Sequence, residues 1–153
     1  MDALSILKVV GLSAAPISEL RGGLPLALSL GMHPAAAYLL AVAGNLLPVP
    51  FLLWGLSRLL GLLPRLPERW RGPVERYLAW QKRRHLRRFA RLGDVALVLV
   101  VAVPLPATGA WTGALLAALL GIPPRRALPL ITLGVLLAGG IVLAASLGLF
   151  SLL

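Results

Sequence analysis

Glu19 and Arg21 stand two residues apart in the middle of an apolar run that reaches from Ala3 to Leu30. A charged side chain near a bilayer centre costs ~2.5–3.5 kcal/mol on insertion scales, so an ionisable residue there is a candidate functional group. A carboxylate in that setting can exchange a proton or pair with a cationic substrate. Burial disfavours its charged form, and a neighbouring arginine favours it. A guanidinium is always charged and holds phosphate or carboxylate in a planar fork. Arg21 is therefore a candidate anion clamp, for a lipid phosphate or an acidic substrate. A structural role is open to both residues as well, as an ion pair that keeps a turn closed. The pair is flanked by Pro16, Gly22, Gly23 and Pro25, residues that interrupt a helix and let the backbone turn. Irregular backbone at membrane depth is tolerated only where protein or a water-filled cavity surrounds it. That is the setting of a transport site.

A second break has the sequence Pro104-Leu-Pro-Ala-Thr-Gly-Ala-Trp-Thr-Gly113, with Pro104, Pro106, Gly109 and Gly113 as its turn residues. Thr108, Trp111 and Thr112 are its only polar or amphipathic side chains. They could line the same cavity as Glu19 and Arg21, or serve as a helix cap and a packed core aromatic. Asn45, beside Gly44, adds a buried amide whose expected partner is a carbonyl of a break. His33 and His85 are far apart and lack ligand partners, which places both at an interface. Ser13, Ser18, Ser29 and Ser57 carry no nucleophile signature. No metal-ligand spacing, glycine-rich phosphate loop or catalytic pair of carboxylates occurs. The expectation is a protein that is not an enzyme, with no metal and no cofactor.

The elements that must position these residues are apolar. Of 153 residues 59% are hydrophobic and 13% charged, about half the usual share of charge. With a mean hydropathy of +0.90, this predicts an integral membrane protein. No cysteine is present, so disulfides and thiolate sites are excluded. Leu4–Leu12 followed by Ser13-Ala14-Ala15 has the outline of a cleaved leader, but Lys8 and the lack of a basic start argue for a retained segment. Four apolar blocks follow one another: Ala3–Leu30, Ala35–Leu63, Val95–Leu120 and Ala127–Leu153. A spanning helix needs roughly 20 residues. The second and fourth blocks are long enough to span, the second bending at Pro48 and Pro50. The first and third are interrupted midway.

Sliding the chain by 90 residues sets Pro16 on Pro106, Gly23 on Gly113, Ala27 on Ala117, Gly31 on Gly121, Pro34 on Pro124 and Gly44 on Gly134. The two breaks coincide, which indicates an internal repeat. Small residues four apart, Gly23, Ala27, Gly31 and then Gly113, Ala117, Gly121, suit close helix contact in a membrane. Between the halves lies Pro64–Asp94, with ten Lys and Arg against Glu68, Glu75 and Asp94. Pro64, Pro67, Gly72 and Pro73 argue against helix at its start, and a helix is expected over Val74–Leu92, ended by Gly93. Trp70, Tyr77, Trp80 and Phe89 are interleaved with its arginines. Such a segment belongs on the cytoplasmic side by the positive-inside rule. Straight spans for all four blocks would put Arg125 and Arg126 outside. Re-entrant hairpins for the first and third blocks bring thirteen of the fifteen basic residues inside.

At the breaks the chain resembles the prokaryotic small multidrug export protein family, through Glu19-Leu-Arg-Gly-Gly-Leu-Pro25, Gly44-Asn-Leu-Leu-Pro48 and the Pro104–Gly113 stretch. More remotely, the duplicated hairpin-plus-helix plan is similar to the DedA (VTT, SNARE-associated) superfamily. That resemblance implies re-entrant hairpins in inverted repeats and a role in moving lipids, including undecaprenyl phosphate, or in proton-dependent drug tolerance. Only Glu19 and Arg21 stand where that superfamily carries hairpin charges.

The expected fold is an all-α integral membrane domain over residues 1–153. Repeat A (1–63) holds a hairpin over 4–30 and a transmembrane helix over 35–61. A basic cytoplasmic link covers 64–94. Repeat B (95–153) holds a hairpin over 95–121 and a transmembrane helix over 127–151. The expected function is a secondary transporter of the bacterial inner membrane, proton-linked through Glu19. Its substrate and proton site comprises Glu19, Arg21, Asn45, Thr108, Trp111 and Thr112. A lipid scramblase or polyprenyl-phosphate flippase using Arg21 is the second reading, and a membrane scaffold docking through its basic helix the third. The expected partners are anionic lipid headgroups along residues 69–91 and further copies of the chain, with no nucleic acid.

Overall fold

The structure, a computed structural model, describes residues 2–65, 67–103 and 108–150. Every regular element among them is helical. In chain order they are α1 (Ala3–Ala14), α2 (Glu19–Ser29), α3 (Pro34–Leu46), α4 (Val49–Leu62), α5 (Glu68–Leu92), α6 (Asp94–Ala102), α7 (Ala110–Leu119) and α8 (Pro124–Phe150). A short 3-10 turn, Leu63–Arg65, extends α4. Two stretches, Pro34–Arg65 and Pro124–Gly148, are long and apolar enough to cross a membrane. The first is broken at Leu47 and Pro48, as its prolines lead one to expect. Pro48 and Pro50 bring no amide to the carbonyls of Gly44 and Leu46.

The helices α2 and α7 end on like hydrogen bonds. At the end of α2, Gly31 N–H donates to Leu28 O at 2.9 Å and Met32 N–H to Ala27 O at 3.1 Å. At the end of α7, Gly121 N–H donates to Ala118 O at 3.3 Å and Ile122 N–H to Ala117 O at 2.8 Å. Both are Schellman caps, and both glycines supply the left-handed φ that such a cap requires, +77° and +70°. A proline then opens α3 and α8 alike, at the first helical position where its missing amide costs nothing.

Two glycines let helix pairs approach closely. A Cβ at Gly44 would lie 2.9 Å from the Ser13 Cβ and 3.0 Å from the Val10 Cα, so α3 meets α1 almost backbone to backbone. A Cβ at Gly134 would lie 2.6 Å from the Val101 Cβ and 2.9 Å from Val98 O, so α8 meets α6 likewise. At the start of α6, Asp94 pairs with Arg126 near the start of α8, at 2.6 Å. The α6–α7 segment therefore begins and ends at one end of the bundle. One core joins the halves: Leu24 of α2, Leu53 of α4, Leu97 of α6, Leu116 of α7 and Ile131 of α8 are all buried in it. Outside it, Ile17, Leu39, Phe51 and Trp54 are exposed. So many large apolar side chains on a surface fit a lipid or protein environment rather than water.

Two sequence expectations need correction. Gly22, Gly23 and Pro25 are not turn residues; they lie inside α2. The break falls upstream, at residues 15–18, because Pro16 withholds the amide that Leu12 O would receive and holds Ala15 extended at φ −70°, ψ 141°. In place of that amide, Ser18 Oγ–H donates to Leu12 O at 2.6 Å. Gly23 serves packing instead, since a Cβ there would overlap Ser13. The second correction concerns α5, which begins at Glu68 and runs through Gly72 and Pro73. Pro73 deprives only the Arg69 carbonyl, near an exposed helix start. The Arg71–Glu75 pair at 2.6 Å braces the same turn. Gly93, at φ +53°, separates α5 from α6 as expected.

Candidate functional site where the two helix breaks meet

The turn between α1 and α2 faces the one before α7. Three of its freed carbonyls have donors. Leu12 O takes the Ser18 hydroxyl, Ala15 O takes Glu19 N–H at 3.0 Å, and Ala14 O takes the Trp111 indole N–H at 3.1 Å. This matters physically, because an unsatisfied backbone group away from water costs several kcal/mol in hydrocarbon. On the other side, Val103 ends α6 in extended conformation. Its carbonyl accepts from the Thr108 hydroxyl at 2.7 Å.

Glu19 and Arg21 each reach across. Glu19 is 6% exposed. Its carboxylate Oε1 accepts the Trp111 backbone N–H at 3.2 Å, in the first turn of α7. There the uncapped amides and the helix dipole favour negative charge. Gly109, the residue before α7, forms the seat of the carboxylate; a Cβ there would overlap it. Glu19 itself adopts φ +48°, the left-handed region that a non-glycine residue enters at a cost. Arg21 donates from Nη2 to the Thr108 carbonyl, and to the Thr108 hydroxyl at 3.1 Å. The acid of one half thus caps a helix of the other, and the base caps the strand of chain leading into it.

The structure brings Glu19, Arg21, Thr108 and Trp111 together, with Gly109 between them. Thr112 follows Trp111 in α7 and is half-buried. Gly113 lies inside α7 rather than at the turn. Pro104 and Pro106 lie outside the described residues. Asn45 takes no part in the network. It is buried in α3, and neither its nitrogen nor its oxygen has a hydrogen-bond partner among the described residues. The expected bond to a carbonyl of the break is not formed among the described residues. His33 caps α3, its Nδ1 accepting Ala35 N–H at 3.3 Å, and the side chain of His85 lies outside the described residues. Among the described residues no three metal-ligating side chains cluster.

Sequence reasoning passed over Ser18 as a cap and Gly109 as the seat of Glu19. The second was within reach: the 90-residue offset sets Glu19 on Gly109.

A family model described as "Putative small multi-drug export protein" matches residues 19–141. The chain belongs to this family. The match opens on Glu19, just past the first break, and takes in the second break, the basic helix and most of α8. No curated protein and no solved structure matches the chain significantly. Family membership and the two long apolar helices together make this a membrane protein of an export family.

Proposed function

We propose that the protein is a secondary transporter of the bacterial inner membrane that exports small amphiphilic cations in exchange for protons. The observation that carries this reading is the buried Glu19 carboxylate seated on Gly109 at the start of α7. As an anion, Glu19 holds the two breaks together through Trp111 N–H. A proton on the carboxylate removes the charge that the helix terminus favours and loosens the joint. A cationic substrate competes for the same oxygens. The site therefore takes a proton or a cation but not both, which is the requirement for exchange. Arg21 and Thr108 hold the second break in register while the first is released.

In this reading each half is a re-entrant helix pair followed by a spanning helix, and the halves are inverted with respect to one another. The matching caps, the matching glycine contacts and the Asp94–Arg126 pair support it. So does the charge rule, which puts α5, Arg125 and Arg126 on the cytoplasmic side. The exposed apolar side chains of α3 and α4 supply a surface for lipid and for a second copy. The exposed arginines of α5 lie against anionic headgroups, at ~1 kcal/mol per basic residue near the surface.

The test is a flux assay in proteoliposomes under an imposed proton gradient, with a fluorescent lipophilic cation as substrate. Wild type is expected to couple cation efflux to proton entry, and Glu19→Gln to show no coupling while remaining monodisperse and helical. Equal coupled flux through both proteins would make Glu19 a structural cap only.

A further inference from the structure

A groove of about 380 Å³ lies between the end of α4, one side of α5 and the C-terminal end of α7. Leu60 and Leu63 enter it from α4 and the turn that follows, Leu78 and Ala79 from α5, and Leu119 from α7. Its charged residues are Glu75 and Lys82, seven positions apart on the same side of α5. They are not equivalent. Glu75 is bound by Arg71 at 2.6 Å, so its charge is answered within the helix. No ion pair answers Lys82 among the described residues. An apolar trough with one uncompensated cation at its rim fits an amphiphile with an apolar chain and an anionic head, and disfavours a cationic one.

We infer that this groove holds one acyl chain of an anionic phospholipid whose headgroup phosphate rests on Lys82. The site rests on the membrane placement proposed above and is independent of proton exchange at Glu19. It has a mechanical consequence. The groove includes the last residues of α7, and Glu19 holds the first turn of the same helix. A lipid bound there steadies the far end of the element that the exchange reaction must release.

The test uses the full chain purified in a neutral detergent. Phosphatidylglycerol or phosphatidylcholine of matched chains is added, and retained lipid is counted by native mass spectrometry beside the thermal midpoint. Phosphatidylglycerol is expected to raise the midpoint and to remain bound at one molecule per chain. Lys82→Gln is expected to weaken retention about fivefold, as for loss of one basic contact at a membrane surface. Ala79→Trp, at an exposed position, fills the groove and is expected to abolish retention; Leu119→Trp fills it from the other side and serves if the first variant does not fold. Arg84→Gln, whose guanidinium lies 5.3 Å from the Trp80 ring in a separate pocket, is expected to leave retention unchanged. Equal retention of phosphatidylcholine overturns the proposal, as does wild-type retention in both tryptophan variants. So does a loss in Arg84→Gln as large as in Lys82→Gln, because a diffuse basic face would then suffice. Failure of coupled flux with lipid retention intact would instead count against the transport reading alone.

Discussion

Glu19 pays for its position. A left-handed φ at a non-glycine residue costs ~1–3 kcal/mol, and it persists only where the surroundings hold it. Here the surroundings are Ala15 O, the Trp111 amide and the flat seat of Gly109. Two substitutions separate the cap from the charge. Glutamine keeps an acceptor for Trp111 and loses the titratable group. Glu19→Gln is therefore expected to stay within about 1 kcal/mol of wild-type stability, by thermal unfolding, while coupled flux is lost. Gly109→Ala keeps the carboxylate and removes its seat. It is expected to displace Glu19 from α7 and to lower both the unfolding midpoint and flux. Unchanged flux in Gly109→Ala would show that the joint does not take part. Asn45 makes the opposite case. Its amide is buried with no partner among the described residues, a burden of ~1–3 kcal/mol in this conformation. Asn45→Leu is expected to raise the unfolding midpoint. A simultaneous fall in flux would mark the amide as a group used in another conformation of the cycle.

Among the elements, the breaks carry the joint, and their placement shows what a sequence can and cannot tell. Proline chemistry is local, so the bend at Pro48 and the start of α3 at Pro34 were legible from residue type. The two helix caps were legible because a cap of this kind needs a left-handed residue, and Gly31 and Gly121 supply it. Gly23 misled because glycine has two uses. It permits a turn and it permits close approach, and only the fold distinguishes them; here Ser13 fills the space that a side chain would need. Pro73 misled because the cost of a proline depends on what replaces the lost bond, and the Arg71–Glu75 pair bridges that turn. The site itself was half legible. The charges were visible as charges; that each caps the opposite break depends on contacts between Glu19 and residue 109, or Arg21 and residue 108, which no local rule supplies. The close approach of α8 to α6 gives a prediction at this scale. Gly134→Leu forces the backbones apart and is expected to lower stability by ~1–3 kcal/mol, read as a drop in the thermal midpoint. The exposed Gly140 of the same helix, where a Cβ would meet nothing within 4 Å among the described residues, is the control, and Gly140→Ala is expected to leave the midpoint unchanged.

At the scale of the whole molecule the arrangement turns on whether the α6–α7 segment crosses the bilayer or returns. A crossing would separate the start of α6 from the start of α8 by the hydrocarbon thickness, ~30 Å. A return leaves them side by side, as the Asp94–Arg126 pair does here. That pair is exposed and contributes at most ~1 kcal/mol, so its value lies in reporting position rather than in holding the fold. The chain has no cysteine, which makes position directly measurable. With cysteines at positions 94 and 126, a short bifunctional thiol reagent is expected to cross-link the two within one chain. A single cysteine at position 125 is expected to react with a membrane-impermeant maleimide only when the cytoplasmic face is open to it. The two results constrain each other. Cross-linking without cytoplasmic labelling would keep the returning segment but invert the whole molecule, setting its basic helix against the charge rule. Labelling from outside with no cross-link would make α6 and α7 two parts of a single crossing, and would count against the proposed proton exchange at Glu19.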